Sequence, residues 1–176
     1  MTPPRRTLLQ GLVLAACVPL SGALVGCAAP VSGDALIQLN YQAADALLQG
    51  TRLDPRQPVL MATLVDLDDL ERSSRWGRLA SEHVAARLAN RGVLVKELKL
   101  RQHIFMAQDS GALLLSREVK DLSLEHDAQA VVVGTYTVGG DTVYVSLKLI
   151  RPEGNTVMSA HDYSFTLNER NRALMR

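Results

Sequence analysis

The sequence predicts an α/β domain with one mixed sheet and helices packed on it, ending in an antiparallel three-strand meander. Three observations predict this. Residues 59–65 (Val-Leu-Met-Ala-Thr-Leu-Val) and 130–133 (Ala-Val-Val-Val) are short continuous apolar runs, as in strands buried on both faces. Segments with apolar residues three and four apart lie between them, the spacing of amphipathic helices. After Gly139-Gly140, residues 142–149 alternate strictly, with Val143, Val145, Leu147 and Leu149 opposed to Thr142, Tyr144, Ser146 and Lys148.

In chain order, the first thirty residues stand apart. Arg5 and Arg6 precede a largely apolar stretch over 8–25, which ends in Leu24-Val25-Gly26-Cys27. A positive start, an apolar run and small residues at its end mark a secretory signal peptide. The run is interrupted by Pro19 and falls short of the roughly 20 apolar residues of a spanning helix. Cys27 directly after Leu-Val-Gly resembles the lipobox of bacterial lipoproteins, in which the cysteine is acylated and becomes the new N-terminus. Residues 1–26 are therefore expected to be a lipoprotein signal peptide, with Cys27 the lipidated residue. Ala28, where such proteins carry Asp for inner-membrane retention, implies sorting to the outer membrane, facing the periplasm.

Processing would leave 150 residues, enough for one domain with a real core. Cys17 would leave with the signal peptide, so no free thiol would remain for a disulfide, a thiolate metal site or a nucleophile. Loss of Arg5 and Arg6 leaves 17 basic against 18 acidic residues, well mixed, and nothing suited to nucleic acid.

Residues 27–33 are expected to be a lipid-anchored tether, residues 34–167 the folded domain, and residues 168–176 a flexible, frayed end. Within the domain, Leu36, Leu39, Ala43, Ala46 and Leu47 predict a helix, with Ser32 or Asp34 at its start and Gly50 at its end. The run at 59–65 predicts one strand. A helix from Ser73 or Ser74 to about Asn90 follows, with Leu79, Ala80, Val84, Ala85 and Leu88 inward and Gly92 beyond its end. Residues 93–101 predict a strand and 104–107 a third, short one. Residues 113–126 predict a helix with Leu115, Val119 and Leu122 on one side. Strands over 130–138, 142–149 and 156–167 complete the meander, joined by Gly139-Gly140 and by a turn at Pro152-Glu153-Gly154-Asn155.

Candidate chemistry is sparse. Asp66, Asp68 and Asp69 follow a buried strand, where α/β folds place catalytic groups, and paired carboxylates can hold a divalent cation. Such acids also cap and favour a following helix through its dipole, and that structural role carries more weight. His83, His103, His126 and His161 show no metal-ligand spacing. Ser116 lacks the glycine-flanked elbow of hydrolases, and Gly134, Gly139 and Gly140 do not form a phosphate loop. Trp76 is expected to anchor helix to sheet. No enzyme, no metal and no cofactor is expected.

Residues 40–48 (Asn-Tyr-Gln-Ala-Ala-Asp-Ala-Leu-Leu), 65–71 (Val-Asp-Leu-Asp-Asp-Leu-Glu), Ser73-Ser74, Gly77-Arg78, Arg91-Gly92, 95–98, 115–118, 130–136 and 141–145 form a set of segments that resembles the FlgO-domain family. They occur in family order across most of the chain after Cys27. The resemblance implies a fold similar to the N-terminal domain of TolB-like periplasmic proteins. It also implies a non-catalytic outer-membrane lipoprotein that helps assemble a ring around the flagellar motor. Expected partners are the membrane, through the lipid, and other envelope or flagellar ring proteins, with self-association also compatible. In that setting Asp66, Asp68 and Asp69 would fix a loop and helix start or face a partner. The alternatives are a general periplasmic binding or scaffold lipoprotein serving envelope integrity and, behind it, a metal-dependent hydrolase using Asp66 and Asp68.

Overall fold

The computed structural model describes residues 33–98, 105–107, 113–115 and 117–176. The expected signal peptide, Cys27, Ala28, His103, Ser116 and the continuation of a strand through 99–101 lie outside these residues. Helix α1 spans Gly33–Leu48, strand β1 Val59–Met61, β2 Val65–Asp66, helix α2 Arg75–Asn90 and β3 Val95–Glu97. Then come β4 (Phe105–Ala107), β5 (Leu113–Leu115), α3 (Arg117–Glu125), β6 (Ala130–Gly139), β7 (Thr142–Arg151), β8 (Thr156–Thr166) and α4 (Glu169–Arg172).

The main sheet runs β3-β1-β6-β7-β8, with β2 also paired to β6. Pairs β1–β3, β1–β6 and β2–β6 are parallel, whereas β6–β7 and β7–β8 are antiparallel hairpins, so the sheet is mixed as expected. Its inner strands are packed on both sides. Val59, Met61, Val132, Val145 and Leu147 pack with Leu36, Leu47, Trp76, Val84 and Leu88 of α1 and α2. Leu60, Val131, Val133 and Ile150 point the other way, toward Val119 of α3. Helix α3 covers the part of that second face formed by Leu60, Val131, Val133 and Ile150, and the face continues along β6, β7 and β8 as an open surface bearing Tyr144, Ser146 and Asp162.

Helix α2 starts at an N-cap, Ser74, whose hydroxyl accepts the Gly77 N–H. Trp76, Gly77, Ala80, Ser81, Val84, Ala85 and Leu88 form its buried stripe. Leu79, expected inside, is 41% exposed: at about 100° per residue it lies on the opposite side from that stripe's centre.

Four further expectations are corrected. Residues 59–65 make two strands, because β1 pairs with 130–132 and β2 with 135–136. Met61 to Val65 is one step longer than Val132 to Thr135, so the extra residue is accommodated at 62–64 as a bulge. Residues 113–115 are a strand rather than helix, pairing antiparallel with β4, and the helix begins at Arg117. A three-residue apolar run suits either state, and a pairing partner decides it. The hairpin turn sits at Gly140-Asp141, one residue later than expected, with Gly140 at φ +62° and Gly139 paired to Thr142.

The C-terminus is not frayed. Asn168 caps α4 by accepting the N–H groups of Arg170 and Asn171, and Asn171 accepts the Asn168 N–H in return. Asn171 is buried and donates to the Thr166 carbonyl, while Leu174 and Met175 of the following 3-10 turn pack on the core.

Candidate binding surface

The aspartate segment is a self-bonded loop. Val65 and Asp66 lie beside Thr135 and Tyr136 of β6, and the Leu67 N–H donates to the Tyr136 carbonyl at 2.8 Å. Asp66 Oδ1 accepts the Asp68 N–H at 2.9 Å, and Asp69 Oδ1 accepts the Glu71 N–H at 3.2 Å. Backbone bonds from Asp66 N–H to the Arg72 carbonyl and from Arg72 N–H to the Asp69 carbonyl close the loop. Asp68 Oδ2 accepts from the Thr137 hydroxyl at 3.4 Å. The expected helix-capping role is therefore corrected. No acidic residue occupies the first turn of α2, the cap is Ser74, and the Asp66 and Asp69 carboxylates serve their own turn.

Behind this loop the polar groups around Leu64 show why the strand breaks there. The Leu64 N–H donates to Ser81 Oγ at 2.8 Å, and its carbonyl accepts from Ser73 Oγ at 2.6 Å, so two side chains replace the missing ladder partners. Ser81 in turn donates to the Gly77 carbonyl, and the Ser74 N–H donates to Tyr136 Oη at 2.6 Å. Gly77 sits where a Cβ would meet Ser73 Oγ at 2.6 Å and the Leu64 carbonyl at 2.8 Å. Trp76, fully buried, stands edge-on to Tyr136 with ring centroids 5.4 Å apart and packs on Phe165 at 5.2 Å, making it the helix–sheet anchor that was expected.

In front of the loop lies a groove of about 500 Å³ on the open sheet face. Leu67 forms one wall, and Thr135, Thr137, Tyr144, Ser146, Asp162 and Ser164 form the floor. Alternation in the sequence points to Tyr144 and Ser146. Thr135, Asp162 and Ser164 join them only through the registers Thr135–Ser146–Asp162 and Thr137–Tyr144–Ser164.

The histidines are dispersed among other roles. His83 on α2 faces Asn40 Nδ2 through Nδ1 at 3.1 Å and Tyr41 edge-on, and its partial burial lowers its pKa. His161 stacks with Tyr163. Among the described residues no three His, Cys, Asp or Glu side chains are grouped to hold a metal ion.

A model of the FlgO protein family matches residues 41–170. No curated protein matches this sequence. Among solved structures, the fold is similar to the LpoB C-terminal domain from Escherichia coli, with 16% identity and a TM-score of 0.51 over 75% of this chain and 98% of that one. It is also similar to the LpoB C-terminal domain from Salmonella enterica, with 16% identity and a TM-score of 0.50 over 72% and 95%. At this identity the likeness concerns the fold.

Proposed function

The chain belongs to the FlgO protein family, and from that premise we propose that it is a non-catalytic assembly lipoprotein of the flagellar outer-membrane ring. In this reading Cys27 carries the lipid, Ala28 directs the anchor to the outer membrane, and the folded domain faces the periplasm. The observation that carries the proposal is the family match across 41–170, which follows the Leu-Val-Gly-Cys sequence at 24–27 in the same chain. The hydrogen bonds that Asp66 and Asp69 accept within their own loop, and the one Asp68 accepts from Thr137 of β6, support a structural use of those carboxylates.

One surface feature favours a second reading, a scaffold lipoprotein for envelope integrity. Strand β8 is an edge strand of 11 residues in which Asp162 is the only acid and no Lys, Arg or Pro occurs. Edge strands usually carry such residues as protection against pairing, and a bare edge can accept a partner strand.

Deletion of the gene in a flagellated strain that carries it, followed by swimming assays and imaging of basal bodies, tests the first reading. Lost motility with an incomplete outer ring is expected. Normal swimming with intact rings, together with new detergent sensitivity, would replace it by the second. Independently, Cys27→Ser is expected to abolish processing or release the folded domain from the membrane fraction. A Cys27→Ser protein still processed and membrane-bound would refute the anchor.

A further inference from the structure

The floor of the open groove has a composition unlike either core or ordinary charged surface. Thr135, Ser146 and Asp162 lie abreast across β6, β7 and β8, with Thr137, Tyr144 and Ser164 in the next row. Strands are about 4.8 Å apart and same-face residues about 7 Å apart along a strand, so these six positions tile a patch roughly 10 Å by 7 Å. Thr137 is held by Asp68, whereas among the described residues the side chains of Thr135, Ser146, Asp162 and Ser164 make no hydrogen bond. Tyr144 is 54% exposed, and Leu67, 47% exposed, walls the groove.

We propose that this groove binds a neutral glycan, seating a short oligosaccharide across β6, β7 and β8. A sugar ring offers hydroxyls that both donate and accept on its rim and C–H groups on its faces. Ser and Thr hydroxyls match the rim in both senses, and the Asp162 carboxylate accepts from two hydroxyls at once. The electron-rich face of Tyr144 suits the C–H side of the ring. The volume, about 500 Å³, is in the usual range for a small-molecule site. Charge narrows the ligand class: the lining contains no Lys or Arg, Lys148 standing one row beyond Ser146 on the same face, and Asp162 with neighbouring Asp68 disfavours phosphate, carboxylate and sulfate on the floor itself.

The test is calorimetric titration of the full-length lipoprotein, in a detergent without a sugar headgroup, with tri-N-acetylglucosamine and with maltotriose. Saturable binding of at least one is expected. Tyr144→Ala and Asp162→Ala should each weaken it tenfold or more, while Leu79→Ala on α2 should leave it unchanged. Ser146→Val keeps strand preference and should also weaken binding, and thermal melts of each variant confirm that the fold persists. No saturable heat for either sugar up to about 10 mM would overturn the proposal. So would binding indifferent to all three groove variants. A protein partner lost on Tyr144→Ala, with neither sugar bound, would assign the floor to a polypeptide instead.

Discussion

The Ser74 N–H donates to Tyr136 Oη at 2.6 Å, joining the first turn of α2 to the middle of β6 across 62 residues of chain. Both groups are buried, so neither has water to fall back on. Tyr136→Phe keeps the ring against Trp76 but orphans the Ser74 amide. The expected loss of stability is about 1–3 kcal/mol. Urea denaturation followed by circular dichroism and by fluorescence of Trp76, the single tryptophan, measures it.

Gly77 lies where α2 passes close against Leu64 and Tyr136. An added Cβ would come within 2.8 Å of both the Leu64 carbonyl and Tyr136 Cε1, and backbone cannot swing aside as a side-chain tip can. Gly77→Ala should cost about 1–3 kcal/mol by overpacking despite the better helix propensity of alanine. Gly92→Ala meets nothing within 4 Å, and its cost should be only the strain of φ +83°, about 1 kcal/mol. Comparing the two midpoints in urea separates crowding from backbone strain.

Asp45 on α1 receives two guanidinium forks, from Arg91 just past the end of α2 through Nε and Nη2 at 2.7 and 2.9 Å and from Arg87 of α2 at 2.9 and 2.7 Å. The hydrogen bonds from Arg91, then those from Arg87, hold its carboxyl well below the usual carboxylate range. A depressed folded pKa means stability present above the unfolded value and lost as pH falls through the folded one. Asp45→Asn should therefore destabilise by about 1 kcal/mol at pH 7, allowing for the solvent around the pair. The gap to wild type should shrink as pH drops below about 4, when measured across a urea–pH series. A gap that persists undiminished in acid would show that the charge is not what matters.

Asn40, almost fully buried, bridges three elements: it accepts from Tyr163 Oη of β8 and faces His83 of α2. Asn40→Ala leaves the Tyr163 hydroxyl without its partner and should cost about 1–3 kcal/mol. His83, its pKa lowered by desolvation, favours the neutral ring in the folded state. Its contribution is complete above the unfolded pKa of about 6.5 and declines as pH falls below it. A His83→Gln variant should therefore show a flatter loss of stability between about pH 6.5 and 5 than wild type.

How much was legible in the sequence depends on the range of the information. Helix α1, helix α2 with its Ser74 cap and the alternation of β7 follow from spacing and capping chemistry within a dozen residues. The resemblance to the FlgO family at 65–71, 73–74, 77–78 and 130–136 also rests on local residues. What those residues share was hidden: Ser73 bonds the Leu64 carbonyl, Ser74 bonds Tyr136, and Gly77 leaves room for both Leu64 and Tyr136, where the apolar run breaks its pairing with β6. The capped C-terminus was missed although Asn168 and Asn171 have capping spacing, because its stability also depends on Leu174 and Met175 reaching the core.

By itself the sequence determined the α/β class, the order of its main helices and strands, and the faces that turn inward, because hydrophobic period and end-capping are local properties. Tertiary structure decided where residues 59–65 break, that 113–115 pair as a strand, and that Thr135, Ser146 and Asp162 share one groove floor. Those outcomes depend on which distant backbone supplies each hydrogen bond. Period alone carries no register between strands far apart in the chain.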